Sequence, residues 1–481
     1  MARIAIMALE GLEEDEAVGT DIPVEEMPEQ AEPAISEVND IEGTISDGQD
    51  GIEEADATID TLDEMADGLE ATLPEGGVAP EAAEVISTAV EHMCSRIGIR
   101  KENTRFALEG FKSKTTRVQA TRIAMEGIRE WAAKIWKAIV DFFNKAVKWV
   151  KDFINKTFDA ANKLKKRAIA LKKAAEDAKS TKNGKKAAVK DKDGKVEAGW
   201  FDMSWGHWLS HDKKYLTSTS EILTAQKKLI DETVMMDAAD KALDEAGKLI
   251  DAARTNLGIS NLYTNGKTIA DVVAAAIGSG TAARNTTDIE VDDNCELKYK
   301  PLSLGTGRVY AQIPKIEGSA AKNDDDSSDF DLWVESFSKT KLWVSKDSDE
   351  PTGTLVDKVM SIQEIITAAS NTIDGMGKYN GYFAKLNAIN KKQEVVANKA
   401  SKEITVRDKD NTSAKTDYQV SDEKTAETRT GNQDHFMKTV KAVCKISLQI
   451  STHGLSGERS YQINAHKAVL DYASKSLSYW N

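Results

Sequence analysis

From Thr116 to Lys179 the chain has no proline and a single glycine, Gly127, so little in that stretch stops a helix once begun. Ile128, Trp131, Ile135, Phe142, Ala146, Trp149 and Phe153 recur there at helical spacing, while Lys134, Lys137, Asp141, Lys145, Lys148 and Lys151 fall on the opposite face. The pattern predicts an amphipathic helix over 127–158. It continues through Lys163-Leu164-Lys165-Lys166-Arg167 and Lys172-Lys173 into a lysine-rich loop over 179–195. Three uses of such a helix compete. It can pack its apolar face into the body of the protein. It can lie on an anionic membrane surface, where Trp and Lys suit the boundary between head groups and acyl chains. Its extension, with Lys163, Lys165, Lys166, Arg167, Lys172 and Lys173, can also touch a DNA backbone without reading sequence.

The formal charge of −15 is divided unevenly. No Lys or Arg occurs between Ile4 and Ser95, a stretch holding 27 Asp and Glu; with Arg3, residues 1–95 carry −26 and the remainder +11. Residues 12–80 contain no aromatic residue and are broken by Pro23, Pro28, Pro33 and Pro74. A segment so charged and so poor in large apolar side chains is expected to be disordered. A transient helix over 52–73 and a second helix from Pro80 to Cys94 are the exceptions the pattern allows. Such a leader is either a solvating appendage or a shield that occupies the basic body until it is removed.

One short sequence recurs near this boundary. Thr104-Arg105-Phe106-Ala107-Leu108-Glu109-Gly110 and Thr121-Arg122-Ile123-Ala124-Met125-Glu126-Gly127 share five identical positions, seventeen residues apart, and Ala8-Leu9-Glu10-Gly11 repeats the core. The spacing is too short and the copies too few for a solenoid. Glu-Gly could mark turns between short helices. Ala-x-Glu followed by Gly also suits a protease: a small residue for a shallow subsite, a charge for a specific pocket and an open position beyond. Ala-x-Glu without the glycine occurs also at Ala82-Ala83-Glu84 and Ala174-Ala175-Glu176, so the seven-residue form carries the argument.

In these features the chain resembles the internal head (inner capsid) proteins of giant tailed phages of the phiKZ group. The resemblance rests on the acidic leader, the lysine-rich helical body and the Ala-x-Glu sites. It implies a non-enzymatic virion structural protein, made in the bacterial host cytoplasm and packaged in the capsid interior with a propeptide. A capsid-maturation protease would cut after Glu109 or Glu126, with Glu10 a further candidate, leaving Gly110, Gly127 or Gly11 as the new terminus, with Ala107, Ala124 and Ala8 as upstream specificity residues. The implied partners are that protease, packaged DNA bound non-specifically, and capsid or other internal virion proteins; the Trp/Lys helix separately allows an anionic membrane surface. Removing residues 1–109 leaves about +9, and removing 1–126 about +6, so processing would turn an acidic precursor basic. Two other functions fit the same chain: a membrane-active or pore-forming helical protein masked by its leader, and a scaffolding or oligomeric interaction protein.

Beyond residue 200 the periodicity predicts one helix over 218–256 and another over 268–277. Short strands follow at 289–291, 297–299, 309–313, 332–334 and 342–344. Helices return over 355–370 and 376–399, a loop or hairpin over 405–430, and helices over 436–451 and 461–478. The expected class is mainly α, with long helices and helical hairpins, a small β-rich insertion and a disordered acidic N-terminal segment. The corresponding regions are 1–109 (propeptide), 110–200 (basic helix and loop), 201–287 (helical), 288–347 (β-rich) and 348–481 (helical).

Little in the sequence proposes a reaction. His207 and His211, with Asp212, have metal-ligand spacing but no Glu after the first His; a Trp-rich structural turn is expected. Asp324, Asp326, Ser328 and Glu335 occupy positions of a calcium loop whose required glycine is replaced by Asp329, so a solvated acidic loop is expected. Gly278-Ser279-Gly280 and Gly305-Thr306-Gly307 lack the lysine of a phosphate loop. The apolar stretch before Glu10 is too short for a signal peptide. Cys94, Cys295 and Cys444 lie far apart, as reduced, partly buried thiols would. No cofactor, metal or catalytic residue is expected.

Overall fold

The computed structural model describes chiefly residues 55–96, 108–181, 203–253, 259–278, 281–282, 294–315, 327–346, 350–353, 358–416 and 436–480. They belong to two compact units, one ending at Lys145 and the other continuing from Ala146.

In the first unit the described residues of 55–72 are helical, within the helix expected over 52–73; a 3-10 turn at Leu73–Glu75 follows, then α1 (Pro80–Arg96), where a second helix was expected. Residues 1–54 lie outside the described residues. Ala55, Ile59, Leu62, Ala66 and Leu69 are buried at steps of four and three residues, the period of a helix–helix seam that alanine can share. Ala83, Ser87, Val90 and Cys94 repeat the period in α1. The third seam lies on α2 (Lys114–Thr181), where Thr121, Met125, Ile128, Ala132 and Ile135 are buried, with Ala124 and Trp131 beside them. Gly76 closes the leader helix with φ +99°, a left-handed residue that ends a helix readily.

In the second unit α3 (Thr219–Leu229) is capped by Ser218, whose hydroxyl accepts from the Glu221 amide. A break follows before α4 (Val234–Ala253), so the single helix expected over 218–256 is two. Thr233 restarts the helix: its carbonyl accepts from Asp237 N at 2.9 Å and its hydroxyl donates to the Asp237 carboxylate at 2.9 Å. The orphan carbonyls of the break are taken by side chains far along the chain. Gln462 Nε2 donates to Leu229 O (2.9 Å) and Glu232 O (2.8 Å), and Tyr382 Oη donates to Ile230 O (3.1 Å).

α5 (Ile259–Ile277) starts earlier than its apolar stripe suggested and packs on α4. The β insertion is a four-stranded antiparallel sheet, β3 (Thr281–Ala282), β4 (Cys295–Pro301), β5 (Gly307–Pro314) and β6 (Lys341–Lys346), in that spatial order. The strand expected at 332–334 is instead part of α6 (Ser327–Ser338). Trp333 and Phe337, four apart, stack at 4.9 Å, and Trp333 lies so close over Gly266 that an added Cβ there would meet it at 2.5 Å. Two expected helices and the start of the expected loop at 405 form one helix, α7 (Ile362–Thr416).

The chain closes with helical residues 438–447, a π turn at Ile450–Gly454 and α8 (Leu455–Leu477). Gly454 and Gly457, between the helices expected over 436–451 and 461–478, lie within this helical run. A Cβ on Gly454 would stand 2.8 Å from Leu342 O, so the π turn brings backbone against β6. Gln449 meets both backbone groups of Leu342 (3.0 and 3.1 Å), pairing part of the outer edge of β6 with a side chain. All three cysteines are free and buried, and burial pushes the Cys94 thiol up to about 11.

Candidate functional site

The two repeat copies fold differently. Leu108–Phe111 is a 3-10 turn ahead of α2, with Glu109 exposed. Phe111 is buried beneath it; Thr116 Oγ1 donates to Gly110 O (2.8 Å), and Arg117 Nε donates to Phe111 O (3.2 Å). Here Glu-Gly does mark a turn. Ala124-Met125-Glu126-Gly127 lies well inside α2, with Ala124 and Met125 buried and only Glu126 outward. Ala107, Ala8, Glu10 and Gly11 lie outside the described residues. A protease takes its substrate as an extended strand. At Glu109 that requires undoing one turn; at Glu126 it requires unwinding α2 from its N-terminus, with Thr121 and Ile128 pulled from the core.

The repeated Thr121 has a structural role the repeat alone did not reveal. It is fully buried; its hydroxyl donates to Arg117 O (2.9 Å) and accepts from Val78 N (3.0 Å), tying the leader to α2. Arg129, one turn past the second copy, reaches the leader acids Asp67 and Glu70.

The six basic residues singled out on α2 separate into groups. Lys166 and Lys173 are exposed, and Lys165 and Lys172 half-buried. Lys163 pairs with Asp159 (2.9 Å), and Arg167 with Asp471 of α8 (2.5 Å), so Arg167 is turned inward. At roughly 100° per residue, Lys148, Lys151, Lys166 and Lys173 share one arc of the helix, and all four are exposed. That row spans about 38 Å at 1.5 Å per residue, with Asp159 and Asp177 between and beyond the lysines.

Elsewhere the basic surplus is spent internally. Lys378, Lys385, Lys392 and Lys399 recur every seven residues on α7, facing Asp231, Asp237, Asp240 with Asp244, and Asp251 on or just before α4. The order of partners makes α4 and α7 parallel. Each exposed pair contributes at most about 1 kcal/mol, but together they remove four lysines from the free positive surface.

The other motifs have structural employment. His211 Nδ1 is 2.9 Å from Leu302 O, and the His207 carbonyl accepts from Thr306 N (3.0 Å) and Ser210 Oγ (2.8 Å). These residues flank the short hairpin β1 (Ser210–His211) and β2 (Lys214–Tyr215), with Asp212 at φ +45° in its turn and bonded to Arg308 (2.6 Å). Gly305-Thr306-Gly307 is the socket of Tyr461 rather than a phosphate cradle. A Cβ on Gly305 or Gly307 would stand 2.0 or 2.3 Å from that side chain, whose hydroxyl donates to Leu304 O (2.9 Å) and accepts from Gly307 N (2.7 Å). Tyr461→Phe is expected to cost about 1–3 kcal/mol by leaving two buried backbone groups unpaired, measurable by urea denaturation. Ser328 and Glu335 sit on α6, not in a loop, and Glu335 pairs with Lys339 (3.0 Å); Asp324 and Asp326 lie outside the described residues. Among the described residues no group of three His, Cys, Asp or Glu could hold a metal ion, and no helix is long and apolar enough to cross a membrane.

The fold and its surfaces define a mainly helical, charge-segregated protein whose polar side chains are largely engaged with one another. The chain belongs to the phiKZ-like phage internal head proteins, whose family model matches residues 36–453. It is accordingly a virion protein of the head interior, as its resemblance implied, and the match takes in much of the acidic leader and both Glu109 and Glu126. Among curated proteins and solved structures no match was found.

Proposed function

We propose that this internal head protein enters the capsid as an acidic precursor and is cut after Glu109 by the capsid-maturation protease. The body beginning at Gly110, about +9 counted by itself, then lies against the packaged DNA through the lysine row of α2. The observation that carries this reading is the exposed 3-10 turn at Leu108–Phe111, between an acidic, separately helical leader and a basic body. The four exposed lysines suit phosphate neutralisation and offer no base-reading geometry, so the contact is independent of sequence. Glu126 is a later site, cut only where α2 has been opened. Each ~1.4 kcal/mol needed for opening lowers the susceptible population tenfold.

The expected N-terminus of the chain recovered from particles is Gly110, found by mass spectrometry of non-tryptic peptides, with Gly127 in the minority or arising later. In Glu109→Gln the Gly110 terminus is expected to vanish. A virion chain still beginning near Met1 would overturn the processing half of the reading. Retention of the trimmed body on DNA that does not weaken between 50 and 200 mM salt (roughly the range over which phosphate contacts are lost) would overturn the other half.

A further inference from the structure

We propose that the leader is a folded ligand of α2 that stays bound after the chain is cut at Glu109, and that loss of the segment up to Glu126 is what uncovers the helix. The inference rests on Glu109 being a processing site. Its physical basis is the antiparallel alignment of leader and helix. Asp67 and Glu70 meet Arg129, whereas Val78 meets Thr121 and Gly77 lies against Arg117 and Thr121. Moving forward along the leader moves backward along α2 by nearly the same number of residues. That register lays the seam of Leu69, Ala66 and Leu62 along Ile128, Trp131, Ala132 and Ile135, two stripes of matching period and both buried.

A cut between Glu109 and Gly110 severs one peptide bond in a turn outside these seams and touches none of the contacts just named. The interaction also goes beyond the charge mask that composition suggested. Glu64, Glu75, Glu81 and Glu84 are exposed, and the side chains buried along both stripes are mostly apolar. The leader should therefore hold in salt that would strip an acidic tail from a basic surface. A second cut after Glu126 changes this. The piece 110–126 carries Thr121 and Met125, so the leader loses the half of its dock that closes the seam, along with covalent attachment of the rest. The leader is then held only along Ile128, Trp131, Ala132 and Ile135, and its release leaves those side chains to another cover.

The test uses the full chain with a heterologous protease site inserted between Glu109 and Gly110, so that it needs no phage protease. After complete cleavage, gel filtration and native mass spectrometry are run at 0.15 and 1 M salt. The expected result is co-elution of leader and body as a one-to-one complex at both concentrations. Separation of the two pieces at 0.15 M would overturn the proposal, while a particle-derived terminus at Gly110 would still stand as a measurement of processing. A leader carrying Leu62→Asp is expected to come away after cutting; if it too remains bound, the seam is not what holds it.

Discussion

Replacing Arg459 by methionine is expected to lower stability at pH 7 by about 3–5 kcal/mol, the usual cost of stranding one member of a buried ion pair. Arg459 and Glu458 are both fully buried, with Arg459 Nη2 donating to the carboxylate at 2.8 Å. Its Nη1 donates to Gln462 (2.7 Å), and its guanidinium lies 4.9 Å from the Tyr382 ring centroid. Glu458 in turn accepts from Met235 N at 3.1 Å, holding the first turn of α4. Burial already pushes the Glu458 carboxyl upward from its ordinary value, against the pull of Arg459. Without that arginine the shift grows. An acid whose folded pKa is raised stabilises the fold where it is protonated and loses that stability as pH rises above its unfolded value. The Arg459→Met deficit relative to wild type should therefore be larger at pH 7 than at pH 5 in urea titrations. Adding Glu458→Gln should recover much of it; an equal deficit at both pH values would show that Glu458 is not the cause.

Acid should also loosen the second unit through His466. This ring is fully buried: its Nδ1 is 3.4 Å from both Gln226 Nε2 and Thr372 Oγ1, and its Nε2 has no hydrogen-bond partner. Burial lowers its pKa from 6.5 to about 4. The unfolded chain takes up the proton first, so stability is whole above about pH 6.5 and declines as pH falls, levelling off below about pH 4. At about 1.4 kcal/mol per unit the total is about 3 kcal/mol. His466→Gln should flatten that part of the profile, so the wild-type minus variant difference in denaturation midpoint should shrink between pH 7 and pH 4.5. A difference independent of pH would mean that the ring does not titrate in this window.

Both effects sit where the sequence was least readable. Helix periodicity announced α2, α1 and most of α7, because a 3.6-residue stripe is a local signal. The break between α3 and α4 was invisible because the groups that stabilise it, Gln462, Tyr382 and Glu458, come from 150 to 230 residues away. The strand expected at 332–334 failed for a related reason: three apolar residues fit either period, and Gly266 beneath Trp333 decided for the helix. In the leader the helices over 52–73 and from Pro80 to Cys94 were legible, but not the seam they bury. Ala55 and Ala66 count for little in a hydrophobicity scan yet occupy seam positions. For the candidate sites, spacing and chemistry identified Glu109 and Glu126 as equals, and only the backbone separates an exposed turn from a helix interior. Among the basic residues of α2 the sequence shows the charges but not their partners, so Arg167 looked available although Asp471 lies beside it.

The parallel lysine ladder has a kinetic consequence. Its partners lie about 150 residues apart in the chain, whereas the leader's contacts to α2 join residues 43 to 62 apart. Contacts between near neighbours in the chain form early, and those that close long loops wait. On the ribosome, where the N-terminal region emerges first, the leader can settle on α2 before α7 has been synthesised. The cover would then be in place before the body it precedes exists as a folded unit.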